Sequence, residues 1–215
     1  MLSRRKIGAV TLAALLGGAL GAPAYERALN PRSLREAYFL GKDTTFRLTD
    51  FLKPYVQTFP APRHGVHVER VELITPFKAM TDRTRRALDA YSPLKAEADY
   101  RRQPPPLAVK VTLRLTPTFP AHSPYGLPGF EPVYFREPDF WRAFDVHLVQ
   151  RGDVEPQARR GYPLITCSDV VCTLVGAVLT LEFDPAKVAS RPARVLVFTP
   201  DGQEVEANFE LGRLR

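Results

Sequence analysis

Hydrophobic and polar residues alternate most cleanly over residues 107–115. Leu107, Val109, Val111, Leu113 and Leu115 share one parity, and Lys110, Thr112 and Arg114 take the other. A strand of this kind buries one face and wets the other, which is the habit of antiparallel sheets. The same period predicts a strand over 66–73. There Val66 and Val68 lie on one parity while Val71 and Leu73 lie on the opposite one, so a bulge is expected at 69–70. Further strands are predicted at 142–149 (Phe144, Val146 and Leu148 inward), 161–166, 174–183, 193–199 and 203–209. "TPDG" at 199–202 joins the last two as a hairpin, because proline presets φ and glycine supplies a positive φ.

A helical period replaces this pattern in four places. Asn30 can cap a helix that begins at Pro31 and stops at Gly41. Leu48, Phe51, Leu52, Tyr55, Val56 and Phe59 fall on one helical face, with Asp50 as its cap and Pro60 to end it. Residues 78–90 are predicted helical. Ser92 followed by Pro93 opens a short helix running to about Arg102. Asp184 before Pro185 caps a single further turn. The expected fold is mainly β (α+β): an antiparallel, immunoglobulin-like β-sandwich of about seven strands, with short N-terminal and inserted helices. Residues 25–62 form an N-terminal helical segment. Residues 63–215 form the sandwich, with a helical insertion at 78–102 and a Pro/aromatic loop at 116–140.

The first 24 residues do not belong to that fold. Arg4, Arg5 and Lys6 precede an uncharged run at 7–22, and Ala22, Pro23 and Ala24 give the small-x-small exit of a cleavable signal peptide. As a helix the run spans only about 24 Å, short of the ~30 Å hydrocarbon core, which weighs against the alternative of a retained N-terminal anchor. "SRRKI" at 3–7 partly resembles the twin-arginine export signal. The expected location is therefore periplasmic or extracellular. Removing the segment also takes away three of the seven net positive charges. The remaining basic residues are interspersed with acidic ones. Arg83, Arg85 and Arg86, for example, sit between Asp82 and Asp89. A solvated helix face accounts for such a cluster better than a nucleic-acid track does, and leaves at most weak attraction to a membrane surface.

Candidate chemistry is sparse. Cys167 and Cys172 are the only cysteines. In an oxidising compartment they are expected to pair as a disulfide, the alternatives being free thiols or a redox pair. His64 and His67 lie too far out of phase on an extended chain to share a metal, and no third ligand accompanies Glu69. No serine sits in a nucleophile elbow, and "AHSPYG" around His122 and Ser123 reads as a turn. Glu137, Asp139 and Asp145 are the acidic residues that could serve a glycosidase-like pair.

The segment between Thr116 and Phe144 is the most distinctive. It carries Phe119, Tyr125, Phe130, Tyr134, Phe135, Phe140, Trp141 and Phe144 among six prolines. Tyr125, Phe130, Tyr134 and Phe135 are the candidate contact residues, since rings on a stiffened loop dock a partner at low ordering cost. Packing over the open end of the sandwich, with Trp141 in the core, is the competing role. The expectation is an exported, non-enzymatic binding or structural module of the bacterial envelope. Its partner would be another envelope protein or a glycan, and no cofactor or metal is called for. A secreted hydrolase assembled from sequence-distant acidic residues is the alternative.

Overall fold

The computed structural model describes residues 25–87, 90–116, 138–167 and 172–215. The export segment at 1–24 and the contact residues Tyr125, Phe130, Tyr134 and Phe135 lie outside the described residues, as do His122, Ser123 and Glu137.

The first helix, α1 (Pro31–Lys42), starts where expected, with the Asn30 side chain accepting from the Arg32 and Ser33 N–H groups. The single helical face expected across 48–59 is divided instead. Thr45 caps α2 (Phe46–Leu52), one 3₁₀ turn covers Lys53–Tyr55, and the chain then straightens into β1 (Val56–Thr58). Pro54 is the cause: it has no N–H to continue the ladder, and its ring collides with the preceding turn. Next come β2 (Val66–Ile74), α3 (Pro76–Arg86), α4 (Pro93–Arg102) and β3 (Leu107–Leu115). The bulge expected at 69–70 is present as a register shift between Val68 and Arg70. Helix α3 begins two residues earlier than its apolar pattern suggests, because Thr75 caps it and Pro76 fills its first position.

The remaining strands are β4 (Asp145–Val149), β5 (Asp153–Val154), β6 (Ala158–Cys167), β7 (Cys172–Phe183), β8 (Pro192–Phe198) and β9 (Glu204–Glu210). Nine strands are thus present among the described residues, against about seven expected. The two extra ones, β1 and β5, have three and two residues, too few for an alternation to register. The "TPDG" turn joins β8 to β9, with Gly202 at φ 82°.

All pairings are antiparallel, and they form two sheets: β1-β2-β3-β7-β6 and β5-β4-β8-β9. The sheets face each other across one core, the arrangement of a β-sandwich. Val71, Val109, Val111, Leu179 and Leu181 from the first sheet meet Leu148, Val195, Val197, Ala207 and Phe209 from the second. A smaller core lies among the helices, where Leu34, Ala37, Phe77, Met80, Ala96 and Tyr100 are buried together, and Phe51 touches both clusters.

The flanks of the sandwich are closed by side chains. On one flank the Gln57 amide of β1 donates to the Asn208 carbonyl of β9 and accepts from the Asn208 N–H at 3.2 Å, imitating a ladder pair between the two sheets. The opposite flank, between β6 and β4, is filled differently and carries the candidate site.

Candidate functional site

Strand β6 is the edge of the five-stranded sheet, and no strand pairs with its outer side among the described residues. Opposite residues in the register share a face of the sheet. Gly161 lies opposite the core residue Leu179, and Arg159 opposite Leu181, so both look into the sandwich. Tyr162 lies opposite Val178, whose neighbours across the sheet are Thr112 and then Arg70, so it stands on the outer face.

Two side chains seal the inner side of this edge. Trp141, from the 3₁₀ turn Phe140–Ala143, lies flat on Gly161, and a methyl group added there would overlap the indole. The indole is partly buried against the main core, which makes it a flank-sealing residue. Arg159 donates to the carbonyls of Phe144 and, at 3.4 Å, Arg142, tying β6 to the start of β4.

The outer side of the edge is exposed. Tyr162 keeps 53 % and Ile165 54 % of its surface, two of the few large hydrophobic residues so open among the described residues. The far end of the strand is fastened by the Cys167–Cys172 disulfide, the state expected of the pair in an oxidising compartment. Strand β7 pairs with β3 only as far as Gly176, so residues 172–175 have β6 as their sole strand neighbour among the described residues. The disulfide therefore braces the part of the hairpin that the rest of the sheet does not support.

Beside this flank, β4 and β5 bring together a group with no counterpart in the sequence reading. The His147 ring sits between two carboxylates, with Nε2 2.9 Å from Asp145 Oδ2 and Nδ1 3.2 Å from Asp153 Oδ2. The hydrogen bond with Asp145 holds the His147 pKa above its usual value, and the same bond holds Asp145 below the usual carboxylate range. A carboxylate stands at each ring nitrogen, so the imidazole is held from both sides as a clamp between β4 and β5. Asp145 and His147 share a face because they are two apart on a strand. Asp153, from the two-residue strand β5, leaves no such signal.

The other candidate residues are dispersed. Asp139 bonds Arg142 at 2.9 Å, while Asp145 bonds His147. His67 lies on β2 opposite Arg114, which bonds Glu69 at 3.1 Å, and burial holds the imidazole pKa down. Among the described residues there is no group of three or more His, Cys, Asp or Glu side chains placed to hold a metal. None of the helices among them is long and apolar enough to cross a membrane.

By its fold and its exposed edge this is a two-sheet sandwich carrying a helical layer. No protein-family model matches the chain, and no curated protein matches it either.

Proposed function

We propose that this protein is an exported, non-enzymatic binding or structural module of the bacterial cell envelope, and that it meets its partner along the outer side of β6. The carrying observation is the open edge itself: a ten-residue strand bearing exposed Tyr162 and Ile165 and braced at its end by a disulfide. Rigid aromatic and branched side chains on a fixed strand lose little freedom on binding, which favours contact through them. Pro163, Arg159 and Arg160 on the same strand are the residue types that keep an edge from pairing indiscriminately. That favours a defined partner, read by side chains, over open-ended strand addition. The disulfide supports export, since such bonds persist in oxidising compartments.

Photo-crosslinking in intact cells tests the reading. A photoreactive residue replacing Tyr162 is expected to give one discrete adduct, and the same residue replacing Arg194 on the opposite sheet is expected to give none. Equal labelling from both positions, or none from position 162, would overturn it. An adduct that is lost on glycosidase treatment would assign the partner as a glycan, and a protease-sensitive one as a protein.

A further inference from the structure

The chain is tied into the core from the first residue after the expected signal-peptide exit. The ends of a domain are ordinarily loose unless something holds them. Here the irregular strap 25–30 is fastened along its length. Tyr25 is 5 % exposed and packs in the main core between the sheets. Its backbone N–H donates to Ser190 Oγ at 3.1 Å. Arg27 Nε donates to the Val188 carbonyl at 3.1 Å, and the Leu29 N–H to the Tyr100 hydroxyl of α4 at 2.7 Å. The Ser33 hydroxyl of α1 donates to the Glu26 carboxylate at 2.9 Å. The strap is thus held by α1, by α4 and by the segment leading into β8.

The bond that a signal peptidase would break joins Ala24 to Tyr25. An endopeptidase binds the residues on both sides of that bond in extended form, with the carbonyl open to attack. In the folded domain the residue that follows the bond is buried, and its nitrogen is held on Ser190. No spacer separates the core from the scissile bond. Cutting the folded chain therefore requires the strap to lift and the Tyr25 ring to enter water, which costs free energy.

We infer that the Ala24–Tyr25 bond is cut before the strap docks, so that the joint between strap and core closes only on the processed chain. Water adds across the amide. Its oxygen goes to Ala24, which leaves as a carboxylate, and both protons go to the Tyr25 nitrogen, which becomes an ammonium. That ammonium keeps a proton to donate to Ser190 Oγ, where the amide N–H donates now. The inference rests on the export reading and is independent of β6.

The test presents the full chain to purified signal peptidase in detergent micelles in two forms. One is diluted from urea at the moment of mixing, and the other is refolded beforehand. The first should be cut after Ala24. The second should be cut at an initial rate lower by about tenfold or more, since cleavage of a docked segment follows the population of its opened form. S190A combined with Y100F removes two acceptors of the strap and leaves the sequence around the bond unchanged. Refolded, that variant should be cut faster than the refolded parent while its Trp141 emission stays that of the folded parent. Equal rates for the two forms of the parent would overturn the inference and leave the export reading standing. A refolded variant cut no faster than the parent would overturn it too, since the strap would then not be what shields the bond. Failure to cut after Ala24 in either form would overturn both readings together.

Discussion

Tyr55 and Arg215 are bonded to each other twice: the phenol donates to the Arg215 carbonyl at 3.0 Å and accepts from the Arg215 N–H at 2.9 Å. The same carbonyl accepts from the Thr75 hydroxyl, and the guanidinium lies 4.5 Å over the Phe77 ring while bonding Glu36 at 2.5 Å. One residue thus joins the sandwich to the helical layer. Removing the hydroxyl with Y55F should cost about 1 kcal/mol, because a part-buried backbone N–H and carbonyl lose their shared partner. Urea unfolding measures this. Burial also pushes the Tyr55 pKa up to about 12, against the opposing bond from Arg215. The folded value lies above the unfolded one of about 10. This contribution is therefore complete below pH ~10 and is lost as pH climbs through the folded value. The alkaline loss should be smaller in Y55F.

Gly161 and Trp141 make a second joint. A side chain at position 161 cannot coexist with the indole where it lies, so G161A should lift Trp141 off the edge and cost roughly 1–3 kcal/mol, in the range of overpacked cores. Trp141 is the only tryptophan, so its emission reports the event directly. A red shift in G161A is expected. An unchanged spectrum with unchanged stability would mean that the indole does not seal the flank.

Those two joints mark where reading the sequence stops working. The caps at Asn30, Ser92 and Asp184, the bulge after Val68 and the turn at Gly202 were all legible, because each depends on a few neighbouring residues. The Cys167–Cys172 bond was legible as an expectation, because the two cysteines are close in sequence. Strands β1 and β5 were not, being shorter than one alternation, and Pro54 turned an apparent helical face into a helix and a strand. The candidate surface was least legible. Tyr162 and Gly161 look alike as neighbours in a strand, and only the register with β7 shows which of them faces water. The Gln57–Asn208 pair and the Tyr55–Arg215 pair join residues more than 150 positions apart, and no periodicity carries that information.

The clamp on His147 predicts a pH dependence with two limbs. Its pKa is raised in the folded protein by the bond to Asp145, with Asp153 on the other nitrogen and the Phe198 ring against its edge. That contribution is present below the unfolded value of about 6.5 and is lost as pH rises through the folded value. Asp145 behaves oppositely: its lowered pKa stabilises above the unfolded value of about 3.9, and the effect disappears as pH falls through the folded value. Stability from this pair should therefore peak in mildly acidic solution. H147Q should flatten the neutral limb in urea unfolding followed across pH. An NMR titration of the ring should give a midpoint above that of histidine in an unfolded peptide, and a midpoint at or below it would refute the clamp.

The inserted helices are held to the sheet by a lysine that reads as a surface residue. Lys78 lies in the first turn of α3 between Phe77 and Ala79, and it is only 1 % exposed. Its ammonium bonds Glu72 of β2 at 2.5 Å and Asp82 of α3 at 2.6 Å. Lys110 approaches Glu72 from β3 at 3.8 Å, and Arg85 reaches Asp82 at 3.3 Å. Burial works to raise the Glu72 pKa, but the attraction of Lys78 and the nearby cations overcomes it and leaves the carboxyl below its usual range. A network of this kind adds little over an apolar filling, but removing one member strands the others. K78M should accordingly cost about 3–5 kcal/mol, because two carboxylates are left facing each other across a buried space. Replacing all three together, with K78M, E72L and D82L, should recover most of that loss, since no unpaired charge remains. D82N is the milder variant and should fall between the wild type and K78M. Urea denaturation of the four proteins decides the matter. If K78M costs no more than the triple variant, the ion network does not fasten α3 to the sheet, and packing of Phe77 and Met80 alone holds the insertion in place.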